Sequence, residues 1–153
     1  MKSLTVMSAV LLSALLASPL FAEEQKSQPR VLLAFEQTRF KSALVEAMRQ
    51  RLQEAGMRVT VAQHTSKGLD AKAADFDAIF ISNSGANSRV RPWIVEWLAA
   101  NKAHQGKILL HTTQTRDWKV QADVDAVTSA SSQDRVDDLA ARYVQRLKEM
   151  VGE

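Results

Sequence analysis

Hydrophobic and polar residues follow two different periods between Arg30 and Gln63. A nearly continuous apolar run, Val31 to Phe35, is typical of a strand buried on both faces. The next apolar residues recur with the period of an amphipathic helix, at Phe40, Leu44, Ala47, Met48, Leu52 and Ala55. Gly56 suits the left-handed backbone at a helix end, and apolar and polar residues alternate after it. The pattern predicts a strand, a helix and a second strand, and such a unit makes its two strands parallel.

The rest of the chain predicts three more strands and two more helices. The strands are expected at residues 76–82, 107–112 and 124–130. One helix should begin near Ser88 to Arg91, because Pro92 fits only in a first turn, and the other should run from Val136 to Met150. These elements predict an α/β fold, a doubly wound three-layer α/β/α sandwich with a five-stranded, mostly parallel sheet. The 11 residues from Thr113 to Asp123 are barely enough for a crossover, so the direction of the last strand stays open.

The first 22 residues have the character of a secretory signal peptide. Lys2 precedes an apolar core from Leu4 to Leu20, and cleavage is expected after Ala22. The alternative is an uncleaved anchor, because Leu4 to Ala22 is 19 residues long and could just span a bilayer. Residues 23–29 are polar and predict a flexible lead-in to one domain at 30–151. We therefore expect a periplasmic or secreted protein that has no membrane association once the signal peptide is removed.

Charge and composition exclude several classes of function. The formal net charge is +3 and falls to +2 without Lys2, which does not indicate nucleic-acid binding. The chain has no cysteine, so it has no disulfide, no thiolate nucleophile and no Cys-ligated metal. Its three histidines lack metal-ligand spacing, and no GxSxG, P-loop or GxGxxG motif occurs. The sequence thus identifies no catalytic residue and no metal site, and whether the protein is an enzyme stays open.

Two stretches carry a resemblance to a known family. RVLLAFEQTRFKSALVEAM, from Arg30, resembles the first strand, phosphate loop and first helix of flavodoxins. DFDAIFISNSGANSRVRPWIVEWL, from Asp75, resembles their third strand, the flavin-contacting loop and the helix behind it, and GKILL at Gly106 resembles their fourth strand. The chain therefore resembles the flavodoxin-like superfamily over residues 30–151. That resemblance implies FMN at the carboxyl ends of the strands.

The resemblance places the candidate cofactor site in four parts of the chain. The loop after the first strand differs from the Ser/Thr-x-Thr-Gly-x-Thr pattern of flavodoxins: it has no glycine, and Glu36 would repel a phosphate unless it points away. The hydroxyls of Thr38 and Ser42 and the charges of Arg39 and Lys41 could substitute for it. The full set of candidate FMN-binding residues is Gln37, Thr38, Arg39, Lys41, Ser42, Asn83, Ser84, Gly85, Ala86, Asn87, Trp118 and Ser131.

Basic residues follow three of the predicted strands. The carboxyl ends of parallel strands meet at one edge of a sheet, where helix N-termini also point. A phosphate or carboxylate ligand would suit that edge, although exposed loops often carry such residues without binding anything, and Glu36 and Asp117 offset part of the charge. The three basic pairs are Arg39 and Lys41, Arg89 and Arg91, and Arg116 and Lys119.

Ser131 has two interpretations. The stretch DAVTSAS, from Asp125, resembles the site at which exported flavoproteins receive FMN through a phosphoester bond, with Ser131 as the acceptor. Ser131 followed by Asp134 also resembles a capping box at the start of the last helix. Capping is the simpler of the two interpretations, because every helix start needs oxygen acceptors for its free amides.

Two hypotheses of function follow. The first is an exported flavodoxin-like domain that binds FMN or a similar anionic planar ligand and serves in electron transfer, with a redox protein as partner. The second is a non-catalytic binding or interaction module of the same fold without flavin, which an exposed Trp93 or Trp97 would favour. A flavin-dependent reductase is a third possibility.

Overall fold

A computed structural model describes residues 27–85, 89–114, 120 and 122–153 of the chain. The predicted signal peptide, residues 1–22, lies outside this range, and so does the first part of the predicted lead-in. Residues 27–29 are described and have no regular secondary structure. Among the helices within the described range, none combines the length and the apolar character that a membrane crossing requires.

Five strands and three α-helices form the described structure. The strands are β1 (Arg30–Phe35), β2 (Arg58–Gln63), β3 (Ala78–Ser84), β4 (Ile108–Thr113) and β5 (Asp125–Ser129). The α-helices are α1 (Arg39–Glu54), α2 (Pro92–Ala100) and α3 (Val136–Met150), and short 3-10 helices lie at Ala73–Asp75, Lys102–Lys107 and Gln133–Arg135. The order of elements agrees with the order predicted from the hydrophobic pattern.

The strands form one parallel sheet in the order β2-β1-β3-β4-β5. The register pairs Val31 with Ala78 between β1 and β3, and Leu109 with Asp125 between β4 and β5. The last strand is therefore parallel to its neighbour despite the short connection, which answers the question that the sequence left open. The strand order reverses between β1 and β3, and ligand crevices of open α/β sheets lie at the carboxyl side of such a point.

Helices cover both faces of the sheet, as predicted. The helices α1 and α3 pack on one face over Leu33, Phe80 and Leu109. The helix α2 and the segment around Leu69 pack on the other face, over Leu32, Ile79 and Leu110. Because β1, β3 and β4 are buried on both faces, each contains a continuous apolar run, at residues 31–35, 78–81 and 108–110. The predicted α/β/α sandwich is confirmed.

Two predicted helix ends, at Gly56 and Pro92, agree with the structure, and a third does not. Thr38 caps α1 by accepting a hydrogen bond from the Lys41 amide at 3.2 Å. Gly56 has φ 81 after α1, and Pro92 lies in the first turn of α2, as expected. The predicted capping by Ser131 is wrong. The hydroxyl that contacts Asp134 belongs to Ser132, and Arg135 is the N-cap of α3, without a side-chain cap.

Candidate functional site

A cavity of about 720 Å³ opens at the carboxyl edge of the sheet. We call it the rim cavity. It lies where β3 and β4 end and where the chain leaves β5, and its volume is within the roughly 300–1,000 Å³ of small-molecule sites. Six of its eight lining residues are polar or charged, and the full set is Ser84, Gly85, Arg91, Thr113, Gln114, Ala130, Ser131 and Ser132.

The side chain of Glu36 joins the elements that border the rim cavity. Its Oε2 accepts hydrogen bonds from Lys41 Nζ at 2.8 Å and from the Ser84 amide at 2.9 Å. Its Oε1 accepts one from Arg91 Nε at 3.1 Å. Lys41 Nζ also donates to Ser84 Oγ at 2.7 Å. Glu36 follows β1 and Ser84 ends β3, so this carboxylate lies where the strand order reverses.

The two charged partners in this network respond differently to their surroundings. Burial raises the pKa of the Glu36 carboxyl, but hydrogen bonds from Lys41 and Ser84 and the charges of Lys41 and Arg91 outweigh burial and hold it below its ordinary value. Burial lowers the pKa of the Lys41 ammonium, and Glu36 offsets part of that effect. The carboxylate therefore stays ionised and keeps the buried ammonium paired.

Lys41 does not occupy the position that the sequence suggested. Its side chain is only 1% exposed and points inward to Glu36 and Ser84, so it does not present a cation to a ligand. Gln37 and Thr38 are exposed in the turn before α1, Arg39 is exposed at the first position of α1, and Ser42 is half-buried in the first turn of that helix. The Thr38 hydroxyl is already used as the helix cap. Lys41 and Arg91 do come together at the carboxyl edge of the sheet, as expected. Both bind the Glu36 carboxylate of the protein itself.

The loop after β3 is held by Asn83 and Gly85. The Asn83 side chain is fully buried, donates to Thr112 Oγ1 at 3.2 Å and accepts from the Arg91 amide at 3.1 Å. It therefore positions the start of α2 instead of facing a ligand. Gly85 packs against the end of β4, where a Cβ would lie 2.9 Å from the Thr113 carbonyl oxygen. Of the predicted residues, Ser84, Gly85 and Ser131 line the rim cavity.

Several candidate residues lie outside the described range. These are Ala86, Asn87 and Trp118 of the predicted FMN site and two predicted basic residues, Arg116 and Lys119. Within the described range, Arg91 is the cation that lines the rim cavity. Its guanidinium also lies 5.5 Å from the centre of the Trp93 ring, which fixes its direction.

Sequence reasoning missed a buried polar network beside the rim cavity. His111 is fully buried, and its Nδ1 and Nε2 lie 2.9 Å from Ser82 Oγ and 2.8 Å from Ser129 Oγ. Burial lowers the pKa of His111 to about 3, and the charge of Lys41 adds to this effect. The ring contacts Phe80 and Tyr143. The available signal was a histidine directly after the apolar run of β4, since a buried histidine needs partners.

His64 forms a second buried contact at the end of β2. The Trp93 indole donates to its Nδ1 at 3.1 Å, and its Nε2 lies 2.9 Å from the Ser82 carbonyl oxygen. Since an indole only donates and a carbonyl only accepts, the proton of this neutral ring is on Nε2. Burial lowers the pKa of His64. In the described range, no group of acidic residues and histidines is arranged to bind a metal ion.

FMN fits this site only in part. The rim cavity is large enough for a flavin ring, and Arg91 and the hydroxyl-bearing residues of the lining can meet the polar edge of that ring. The phosphate does not fit the turn between β1 and α1, because the Glu36 carboxylate lies at this point and binds the cations that a phosphate would need.

A second cavity, of about 780 Å³, lies between α2 and β5. Its lining is mainly apolar, with residues such as Val95, Leu98, Val120 and Val124. It is on a face of the sheet and away from the strand ends where the polar residues converge. We therefore regard the rim cavity as the candidate ligand site.

Comparisons with known proteins agree on the architecture. No protein-family model and no curated protein matches the chain. Among solved structures, it is similar to a flavodoxin from the domain Archaea, with TM-score 0.55 and 11% identity over 79% of this chain and 98% of that one. Oxidised flavodoxin 2 from Bacillus cereus has TM-score 0.53 and 7% identity over 78% and 98% of the two chains. General stress protein 14 from Treponema denticola, in complex with FMN, has TM-score 0.50 and 13% identity over 80% and 99%.

At such low identity these likenesses concern the fold alone. They agree with the observed strand order, β2-β1-β3-β4-β5, and with helices on both faces of the sheet. The chain thus has the fold of the flavodoxin-like superfamily.

Proposed function

We propose that this chain is an exported flavodoxin-like domain that binds a flavin, FMN or a similar anionic planar ligand, in the rim cavity and serves in electron transfer. The observation that carries the proposal is the position of this polar cavity at the carboxyl ends of β3 and β4, beside the point where the strand order reverses. The complex of general stress protein 14 with FMN makes FMN the first ligand to test.

The residues of the rim cavity suit the ring of such a ligand. Ser84, Thr113, Ser131 and Ser132 supply hydroxyl groups, and Arg91 supplies a cation. Hydroxyls both donate and accept hydrogen bonds, so they match the mixed polar edge of a flavin ring. No acid, base or nucleophile is needed for this role, because the ligand itself would carry the electrons.

The decisive experiment is a flavin titration of the full chain. Protein purified from the periplasm should show the visible absorption band of an oxidised flavin, or should quench the fluorescence of added flavin at about one per chain. Ser131→Trp should abolish binding by filling the rim cavity, whereas Glu54→Trp, at the opposite end of the sheet, should leave binding unchanged. Colourless protein that ignores added flavin would contradict the proposal.

Covalent attachment at Ser131 is tested on the same samples. Ser131 is exposed at the cavity edge, as an acceptor hydroxyl must be. Mass spectrometry of denatured protein would reveal a retained FMN, and Ser131→Ala would remove it.

The proposed export is tested by amino-terminal sequencing of the exported protein. If the signal peptide is cleaved as predicted, the first residue of the mature chain should be Glu23.

The second candidate is a binding module without flavin. Glu36 favours it, because this carboxylate satisfies Lys41 and Arg91 without any ligand. The tryptophans do not favour it: Trp97 is buried and donates to the Ala71 carbonyl oxygen, and Trp93 is half-buried. The electron-transfer function would require a redox protein as partner. The binding module would have a partner that is not a redox protein.

A further inference from the structure

We infer that the ligand of the rim cavity is a flavin whose side chain carries hydroxyl groups and no phosphate, so that riboflavin binds more tightly than FMN. The inference rests on the proposed function and refines it. Its basis is that Glu36, directly after β1, places a carboxylate against Ser84 and Arg91, two residues that line the rim cavity, in the turn where the resemblance to flavodoxins puts the phosphate of FMN.

The Glu36 carboxylate is held in place on both oxygens. Lys41 and the Ser84 amide bind Oε2, and Arg91 binds Oε1, with distances from 2.8 to 3.1 Å. Its side chain is 16% exposed, so part of it remains accessible next to Ser84 and Arg91 of the rim cavity. Turning it away would leave the almost fully buried Lys41 ammonium without its counter-ion.

The cations near Glu36 do not compensate for a phosphate. The Lys41 side chain is 1% exposed and donates to Glu36 and Ser84, so it cannot reach a ligand. Arg91 is 33% exposed and already shares its charge with Glu36. A phosphate would bring about two negative charges beside this carboxylate, and like charges at short range near a protein surface repel each other.

The ribityl chain of riboflavin, which carries hydroxyl groups and no phosphate, can form favourable hydrogen bonds with Glu36. A carboxylate accepts hydrogen bonds and never donates them, and each of its oxygens can accept more than one. Alcohol groups would donate to Glu36, and hydrogen bonds to an ionised acceptor are stronger than those between neutral groups. The same atoms that repel a phosphate thus bind a ribityl chain.

The test compares riboflavin and FMN on the full chain by quenching of flavin fluorescence. Wild-type protein should bind riboflavin about tenfold or more tightly than FMN, which corresponds to about 1.4 kcal/mol or more. Glu36→Gln keeps an acceptor and removes the charge, so it should reduce this preference about tenfold. Glu46→Gln removes an exposed carboxylate of α1 and should leave the preference unchanged.

Two further measurements cover the case in which Glu36→Gln folds poorly. The double variant Glu36→Gln with Lys41→Met removes the buried ammonium together with its counter-ion, and should also shift the preference toward FMN. Added salt should strengthen the binding of FMN to wild-type protein and leave riboflavin unaffected, because salt screens repulsion between partly exposed charges.

The outcomes separate the inference from the proposal on which it rests. If neither flavin binds, the proposed function fails and the inference fails with it. If FMN binds as tightly as riboflavin, or if neutralising Glu36 leaves their ratio unchanged, the inference is overturned and the proposed flavin site stands.

Discussion

Glu36 Oε2 lies 2.8 Å from Lys41 Nζ, and the lysine side chain in this pair is 1% exposed. The two residues are five positions apart in sequence, so the ion pair joins the end of β1 to the first turn of α1. The pair also binds Ser84 at the end of β3. The ion pair therefore holds the ends of β1 and β3 and the start of α1 together next to the rim cavity.

Removal of Glu36 should destabilise the fold strongly. Glu36→Ala would leave Lys41 buried without a counter-ion, and breaking such a pair from one side costs about 3–5 kcal/mol. Urea unfolding of the wild type and the variant measures this difference in the free energy of unfolding. Glu46→Ala, which breaks the exposed pair with Arg49, should cost less than about 1 kcal/mol.

Replacing both partners distinguishes a lost ion pair from a generally sensitive site. Glu36→Gln combined with Lys41→Met removes the buried charge as well as its counter-ion, so it should recover much of the stability lost in Glu36→Ala. Equal destabilisation in both variants would show that the ion pair is not the cause.

Acid should unfold the protein through His111. Its pKa is about 3 in the folded protein and near 6.5 in an unfolded chain, so between these values the unfolded state binds the extra proton. Stability contributed by the neutral ring is present above about pH 6.5 and is lost as pH falls toward 3, by on the order of 4–5 kcal/mol. The neighbouring charge is Lys41, and Tyr143 packs against the ring.

Two measurements check the role of His111. Its ring signals in an NMR titration should remain those of the neutral form down to about pH 4. His111→Gln should flatten the dependence of stability on pH. Protonation of His111 near pH 6 in the folded protein would contradict the prediction.

Gly85→Ala should disturb the rim cavity. The added Cβ would lie 2.9 Å from the Thr113 carbonyl oxygen and 3.1 Å from Thr112 Cγ2, so the loop must move away from β4. Overpacking of this kind costs about 1–3 kcal/mol. Gly106→Ala is the matched control, because a Cβ there meets nothing within 4 Å, and it should be neutral or slightly stabilising. Thermal unfolding of the two variants distinguishes them.

Trp93→Phe should raise the pKa of His64. The Trp93 indole donates to His64 Nδ1, which blocks the nitrogen that would receive a proton. Without this bond, protonation no longer breaks a contact, so the folded-state pKa should rise. Trp97→Phe serves as control, since its indole binds the Ala71 carbonyl oxygen. An NMR titration of the His64 ring measures both, and equal pKa values in all three proteins would contradict the assignment.

The fold followed from the sequence because its determinants are local and repeated. The apolar runs of β1, β3 and β4 and the helical period of α1 and α3 predict their elements without knowledge of their neighbours. Parallel pairing then follows from the alternation of strand and helix. Only the last strand was uncertain, because Asp125–Ser129 is short and its connection leaves little room for a helix.

The sequence predicted which edge of the sheet carries the site, but it did not predict the contacts between the side chains there. Residues after strand ends had to come together at that edge, and Arg91 and Lys41 did so. Whether a lysine faces solvent or a carboxylate depends on distances between elements far apart in sequence, such as Glu36 and Ser84. The same is true of Asn83 and His111, whose partners lie on neighbouring strands.

Sequence alone established the order of elements, a mostly parallel sheet and the edge at which polar and charged residues meet, since these depend on short-range periodicity. Tertiary structure decided that Glu36 binds Lys41 and Arg91, and that Ser132 rather than Ser131 contacts Asp134. Charge pairing and burial depend on which side chains approach within about 3 Å. The hydrophobic pattern of the sequence does not give these distances between side chains of different elements.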